Sequence, residues 1–563
     1  MLTFLKSFVH KYHRALFYFA WLLLHIVQAS TTDLFDDEAY YWVYSLFPDW
    51  GYFDHPPVIA LLIKGGYALF HNELGVRFLV ILLATASVFL VESLIEKKNA
   101  YLFYAIFGSL ALAQIGGMIA VPDTPLLFSI ALFFYLYKRF IANMNIVNML
   151  LLGACIALML YTKYHSILIV VFTGLSNLKL LRHYQTYLVL LLSIALFIPH
   201  LYWQHQHGYP SVQFHLFERN AAGYTISFTI EYIIGQIVLA GPLMGWLLLF
   251  SAFKYKPASQ SEKALKFSFV GIYLFFLIAT LRGKVEANWT VPAFISMIVL
   301  SHGYLSTHFR WRRWLYYSLP ATLFLVFAAR AIMMIDMPPR WWIIKDEFHN
   351  NRNWVKEIKQ KAGTMPVVFC DSYQKPSKYW YYSGDTAMGF NSLYYRRNNF
   401  NFWEIEDHLI GRPVYAVSGP APGFDDTFKD IHLENSRGEK IPLYYSFSRV
   451  LIDQVNYTPA GNNKIVVRFR TVTPASYLTY FRQSPYNTAL LYLVLYREKK
   501  LVACLPADFT VKNISREKQE NVASFQLDLP HGDYTGKLAI GSCLPERPSI
   551  NSSEILIKIL NRF

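Results

Sequence analysis

Asp36-Asp37-Glu38-Ala39-Tyr40-Tyr41-Trp42, followed by Asp49-Trp50-Gly51-Tyr52-Phe53-Asp54-His55-Pro56-Pro57, heads a long stretch at about 32–75 whose reading decides the fold. An apolar run at 15–31 precedes it, flanked by Lys6, Lys11 and Arg14. That run imitates a signal peptide, but many apolar runs follow it, so it reads as an uncleaved first transmembrane helix. The segment 57–70 is apolar too, yet two prolines begin it and Lys64 sits inside it. It reads as an interfacial helix. Were it a crossing, every later loop would change sides.

The later loops show why that matters. Further apolar runs lie at about 76–95, 100–119, 125–138, 146–161, 164–178, 186–203, 229–252, 267–281, 289–306 and 314–333. With the first run they predict about 11 transmembrane helices. Basic clusters fall at Lys97/Lys98, Lys138/Arg139, Lys179/Arg182, Lys254/Lys256/Lys263/Lys266 and Arg310/Arg312/Arg313. With a cytoplasmic N-terminus and an interfacial 57–70, all of them land in the cytoplasm, as the positive-inside rule requires. The carboxylate-rich loops and everything after 335 then face outward.

Composition agrees with a split chain. Of 563 residues 54% are hydrophobic, and the apolar runs are confined to 1–335. The net charge of +15 reads as a topology signal and an attraction to anionic headgroups, since no nucleic-acid-binding pattern accompanies it. Strand, helix and turn signals alternate over 336–445, which predicts a small α/β domain. Period-two alternation dominates 446–563, at Ile465–Arg470, Leu490–Tyr496, Ala523–Leu529 and Lys537–Ile540, which predicts a β-sandwich. The four cysteines, Cys155, Cys370, Cys504 and Cys543, form no CxxC. Structural zinc is therefore not expected, while Cys504 and Cys543 could pair in an oxidising compartment.

Four outer loops carry candidate chemistry. Acids are costly beside hydrocarbon, so Asp36, Asp37 and Glu38 directly after a membrane helix point to a general base or a metal ligand. Asp54 and His55 share that loop. Val121-Pro122-Asp123-Thr124-Pro125 places Asp123 where it either caps the next helix or acts on a substrate, and the two roles coexist. Tyr161-Thr162-Lys163-Tyr164-His165 offers Lys163 as a phosphate partner or a snorkelling residue, with His165 as a packed histidine or a substrate ligand. Leu281-Arg282-Gly283-Lys284-Val285-Glu286-Ala287-Asn288-Trp289 sets two cations, Arg282 and Lys284, on the outer side against the charge trend. They suit a phosphate, or Lys284 pairs with Glu286. Arg219 is a further phosphate candidate, and Arg330 reads as a snorkelling residue.

The pair of motifs in the first loop resembles the first outer loop of bacterial members of the dolichyl-phosphate-mannose–protein mannosyltransferase superfamily. These GT-C glycosyltransferases include the aminoarabinose–lipid A transferases. Val121–Pro125 is similar to the family's second acidic loop, and Lys284-Val285-Glu286 with Trp289 to its late Lys-Val-Glu-x-x-Trp motif. In layout the resemblance covers about 30–335. It implies that Asp37 is the central acid of the site, with Glu38 beside it and Asp123 in the second acidic position. Asp54, His55, Lys163, His165, Arg219, Arg282, Lys284 and Glu286 would bind substrate. It further implies a polyprenyl-phosphate sugar donor, undecaprenyl phosphate in a bacterium, and inverting transfer to a lipid, glycan or protein acceptor. The periplasmic face of the inner (plasma) membrane would be its setting. No cofactor is certain. A divalent metal ion held by Asp37 and Asp123 is compatible with the residue types. An oligosaccharide polymerase or ligase with a pyrophosphate-linked donor is an alternative, disfavoured by the early Asp-Glu loop and its His-Pro-Pro. A transporter would place ionisable groups near mid-membrane in repeated halves, and no internal repeat is visible.

Overall fold

A computed structural model describes residues 2–218, 224–336, 346–460, 464–498, 500–527 and 529–559. The chain divides into two compact units. One comprises 1–212 with 223–349, the other 213–222 with 350–563.

The first unit is helical. Its elements are α1 (Leu2–Thr31), α2 (Asp36–Leu46), α3 (Val58–Leu69), α4 (Glu73–Leu94), α5 (Ala100–Ser109), α6 (Ala111–Gly116), α7 (Asp123–Ala142), α8 (Ile146–Thr162), α9 (Ile167–Ser176) and α10 (Tyr184–Gln206). After the short α11 (Pro210–Gln213) come α12 (Ile226–Ala240), α13 (Gly245–Lys254), α14 (Gln260–Ala279), α15 (Phe294–Thr307) and α16 (Phe309–Met334). Asparagine or serine side chains start many of them. Asn72, Asn99, Asn145 and Ser259 each accept a backbone N–H of the first turn, satisfying donors that have no partner within the helix.

Each predicted apolar run falls on a helix or a broken helix. The expected count of about 11 crossings does not follow from that, because several helices are short or interrupted. By length and composition, four described helices are able to cross a membrane, α4, α7, α10 and α16. The number reaches 6 if each of two bent pairs is one span. One pair is α1 with α2, bent by 86°; the other is α12 with α13, bent by 95°. Gly241 makes the second bend. Its φ of 153° is open to glycine, and a Cβ there would lie 2.6 Å from the Ser109 carbonyl oxygen. Helix α3, over the doubtful segment 57–70, has 12 residues, too few for a straight crossing.

Arg330 is not a snorkelling residue. It is 2% exposed and lies among α1, α6 and α16, where its guanidinium donates to Gln28 Oε1 and the Gln114 carbonyl and lies 3.3 Å from His25 Nε2. Neutral acceptors on neighbouring helices hold the cation where no water reaches it.

The second unit begins with α17 (Asn351–Ala362), β1 (Val367–Cys370), α18 (Gln374–Ser383) and β2 (Ala387–Phe390). Then follow β3 (Val414–Ser418), β4 (Asp426–Thr427) and β5 (Arg437–Ile441). These strands form one sheet in the order β2-β1-β3-β5-β4, with β1 parallel to both β2 and β3. Next come β6 (Leu451–Pro459), β7 (Lys464–Val472), β8 (Leu490–Arg497), β9 (Lys500–Thr510), β10 (Lys518–Gln526), β11 (Gly532–Ile540), β12 (Ser549–Ile550) and β13 (Ile555–Ile559). They make an antiparallel β10-β7-β6 sheet and a second sheet, β12-β11-β8-β9, with β13 on β11. Val467, Phe469, Leu491, Leu493, Phe525 and Leu538 lie in the common core, which is what period-two alternation demands of strands with one buried face.

Cys504 and Cys543 are free thiols. Cys504 packs on the Leu393/Val494 cluster, whereas Cys543 Sγ accepts the Tyr445 N–H, so the expected pairing is not made.

A buried carboxylate braces this unit. Glu406, 0% exposed, accepts from the Ser446 hydroxyl, the Ser448 N–H and hydroxyl, and the Tyr477 hydroxyl at 2.8 Å. Removing it leaves several buried donors without an acceptor. Glu406→Ala should therefore cost about 3 kcal/mol, and Glu406→Gln less. Thermal unfolding of the full chain measures this, and an unchanged transition in the alanine variant would refute the bracing role.

Candidate active site

Helix α2 starts at the acids themselves. Asp36, Asp37 and Glu38 fill its first turn, where the helix dipole favours negative charge. Glu38 reaches back to the Phe35 N–H at 2.9 Å and so closes the helix start. Its two oxygens also take a bidentate Arg77 from α4, Nε to Oε1 at 2.8 Å and Nη2 to Oε2 at 2.6 Å, with both side chains 0% exposed. Oε1 further accepts the Ala120 N–H at 2.7 Å. Arg77 completes its set on the carbonyls of Ala29, Thr32 and Asp33. A carboxylate so enclosed is unavailable to a substrate, and the geometry moves Glu38 from the expected catalytic group to a positioning residue. Asp37 is half-buried between two buried acids.

Ala120, held by Glu38, lies just before Asp123 at the start of α7. There three of the loops singled out in the sequence converge. Lys163, at the end of α8, donates to Asp123 Oδ1 at 2.7 Å, and Asn288 Nδ2 donates to Oδ2 at 3.3 Å. Asp123 and Lys163 are both buried. His165 packs instead, with its ring 5.3 Å from Trp289 and 5.4 Å from Phe276.

Asp54 is buried and accepts the Tyr40 hydroxyl at 3.4 Å. The His55 ring lies edge-on to Tyr41, and its carbonyl takes the Tyr52 N–H at 3.1 Å. Both residues thus shape the aromatic wall of the loop. Arg282 and Lys284 are exposed. Lys284 approaches Glu231 at 3.9 Å, not Glu286, and Glu286 leads into the 3-10 turn Ala287–Ala293. Arg219 lies outside the described residues.

The sequence reading missed the anchor of the first loop. On α10, His200 Nδ1 donates to the Trp50 carbonyl at 2.8 Å, and Nε2 lies 3.0 Å from the Tyr164 hydroxyl. Trp203 Nε1 donates to Asp49 Oδ2 at 2.7 Å. Gln204 donates to Ser211, which donates to the Tyr52 carbonyl. Gly51 permits this closeness, since a Cβ there would stand 2.6 Å from Trp203. The signal was present: His200, Trp203 and Gln204 are spaced i, i+3, i+4, a polar stripe on an otherwise apolar helix.

As for a metal ion at Asp37 and Asp123, the Lys163 ammonium on Asp123 Oδ1 would compete with it. The one group of three such ligands among the described residues is Asp336, Asp346 and His349, whose ligand atoms lie within 4.8 Å of one another.

Residues 54–203 match the family described as dolichyl-phosphate-mannose-protein mannosyltransferase. Lipid A galacturonosyltransferase RgtD of Rhizobium johnstonii is 25% identical over 292 residues, 48% of this chain. The chain spans 60% of that relative's length. Among solved structures, ArnT from Cupriavidus metallidurans in the apo state has a TM-score of 0.58 at 12% identity, covering 77% of this chain and 98% of ArnT. The same protein bound to undecaprenyl phosphate has a TM-score of 0.54 at 13% identity, over 76% and 97%. The fold is therefore similar to ArnT.

Proposed function

From a chain that resembles the GT-C glycosyltransferases in sequence over 54–203 and in fold over most of its length, we propose a polytopic membrane enzyme that moves a sugar from a polyprenyl-phosphate donor to a lipid, glycan or protein acceptor. The observation that carries this reading is the buried Asp123–Lys163 pair, with the exposed Asn288 donating to Asp123, tied through Ala120 and Glu38 to the turn that presents Asp37. Three segments far apart in sequence, around Asp123, Lys163 and Asn288, meet there. A transferase working at a lipid headgroup needs such a place.

The reaction is a displacement at the anomeric carbon. The acceptor oxygen bonds to that carbon as the bond to the phosphate oxygen breaks, which inverts the configuration. Asp37 takes the acceptor's proton, and the electron pair leaves with the polyprenyl phosphate. Charge grows on the phosphate, and fixed cations are worth most where charge develops. Lys163 supplies one, its ammonium held by Asp123, to which Asn288 also donates; Arg282 and Lys284 are exposed and meet a headgroup from the loop, Lys284 by giving up its loose contact with Glu231. Undecaprenyl phosphate is the favoured carrier, in line with the ArnT complex, and a lipid A-like acceptor accords with the galacturonosyltransferase relative. The setting is a bacterial inner membrane, with the N-terminus cytoplasmic and the second unit periplasmic.

The test is transfer in proteoliposomes, with polyprenyl-phosphate sugars and a lipid or glycan extract. Wild type should release sugar from the donor. Lys163→Met should lower turnover roughly 100-fold, the usual consequence of losing one preorganised donor at a developing charge. Lys163→Arg should recover part of it. If no polyprenyl-phosphate sugar is consumed with any acceptor, the proposal fails.

A further inference from the structure

Within the second unit the α/β sheet has a topological switch point. The chain leaves β1 through α18 to β2 on one side, then returns to β3 on the other. In open α/β sheets, ligands bind in the crevice such a reversal leaves at the carboxyl ends of the strands. A cavity of about 650 Å³ lies there, in the size range of small-molecule sites.

Its lining mixes polar and apolar groups and is balanced in charge. Asp371 follows β1 directly and adopts φ 56°, a conformation non-glycine residues rarely hold. Its carboxylate accepts the Ser392 N–H at 2.9 Å and hydroxyl at 2.7 Å, and it pairs with Arg547. Burial pushes the Asp371 carboxyl above its ordinary range, against the pull of Ser392 and Arg547. Lys375, at the start of α18, donates to Ser436 at 2.8 Å. One buried donor on the wall has no hydrogen-bond partner, Arg547 Nε, on a residue 8% exposed, while Ser418, 3% exposed, hydrogen-bonds to Cys370. An unmet buried donor is costly, and a ligand that reaches it recovers that cost. At the rim Tyr394, 55% exposed, lies beneath the Arg547 guanidinium at 5.2 Å.

We infer that this cavity is a saccharide-binding site, taking an uncharged pyranose unit by hydrogen bonds to Asp371 and Arg547 and by ring stacking on Tyr394. Vicinal hydroxyls both donate and accept, and so they suit a carboxylate beside a guanidinium. An aromatic face at the rim suits the apolar face of a sugar ring. A phosphate fits poorly. Asp371 and Glu546 offset Lys375 and Arg547, and the loop Gly419-Pro420-Ala421-Pro422 has prolines where an anion cradle needs N–H groups. The site lies wholly within the second unit and does not depend on the transfer chemistry.

Ligand-observed saturation-transfer NMR on the full chain in lipid nanodiscs tests it, with glucose, galactose, N-acetylglucosamine, galacturonic acid and inorganic phosphate as separate probes. At least one neutral sugar should receive saturation. Tyr394→Ala, at a half-exposed position, should weaken its binding about 10-fold. Ala421→Trp, which fills the cavity, should abolish it. Thermal unfolding of both variants should match wild type, and Asp37→Asn should bind the sugar normally. Three results would overturn the inference: no sugar bound, phosphate alone bound, or sugar binding unchanged in Ala421→Trp, which would place the signal elsewhere on the chain.

Discussion

Asp37→Asn should remove transfer activity while leaving a protein that unfolds at the wild-type temperature. The substitution keeps the shape of the side chain and its ability to accept hydrogen bonds. It removes the negative charge and with it the capacity to take a proton. A positioned general base contributes about 10²–10⁴-fold to rate, and a loss of that size is expected in kcat, with little change in KM for the donor. Position marks Asp37 out among its neighbours. Asp36 and Glu38 are buried, Glu38 is closed by Arg77, the Phe35 N–H and the Ala120 N–H, and Asp37 alone of the three is half-buried. Sugar release from a polyprenyl-phosphate donor, followed beside thermal unfolding, is the measurement. Full activity in a folded Asp37→Asn protein would leave the transferase reading standing and move the base elsewhere.

What the sequence made legible had short-range causes. The strands of the sandwich were visible because Val467 and Phe469, or Leu491 and Leu493, alternate with polar residues, and period two needs only neighbours. The apolar runs were visible because composition alone marks them. Breaks within them were not: the α12–α13 bend depends on Gly241 meeting the Ser109 carbonyl, a contact between distant segments. The site divides in the same way. Asp37, Asp123 and Lys163 announced themselves as charges at the ends of apolar runs, where charge is expensive. The partners that fix them did not. Arg77 lay at the edge of a run, where a lone arginine looks like a topology signal, and its use became plain only with the carbonyls of Ala29, Thr32 and Asp33 around it. The cavity beside Asp371 was beyond sequence reading altogether, since its wall is gathered from β1, β3 and loops as distant as Arg547.

Arg77→Met should be among the most damaging single changes in the helical unit. The guanidinium spends all three nitrogens on Glu38 and three backbone carbonyls, and the pair is fully buried. Breaking a buried pair by removing one partner costs about 3–5 kcal/mol, because the other charge is left without compensation. Glu38→Gln should do comparable harm. The double variant Glu38→Gln/Arg77→Met should be less destabilised than the sum of the two singles, as residues in one network are not additive. Arg77→Lys should fail to rescue, since an ammonium cannot span Glu38 and the carbonyls of Ala29, Thr32 and Asp33 in one plane. Activity should fall with stability here, for Glu38 also fixes Ala120, three residues before Asp123. That coupling separates the two predictions. Asp37→Asn should lose turnover without losing its unfolding temperature, whereas Arg77→Met should lose both. Thermal unfolding in detergent, with donor hydrolysis measured on the same preparation, tells them apart. An Arg77→Met protein that unfolds like wild type would show that the pair does not hold the acidic turn in place, and the positioning role given to Glu38 would fall with it.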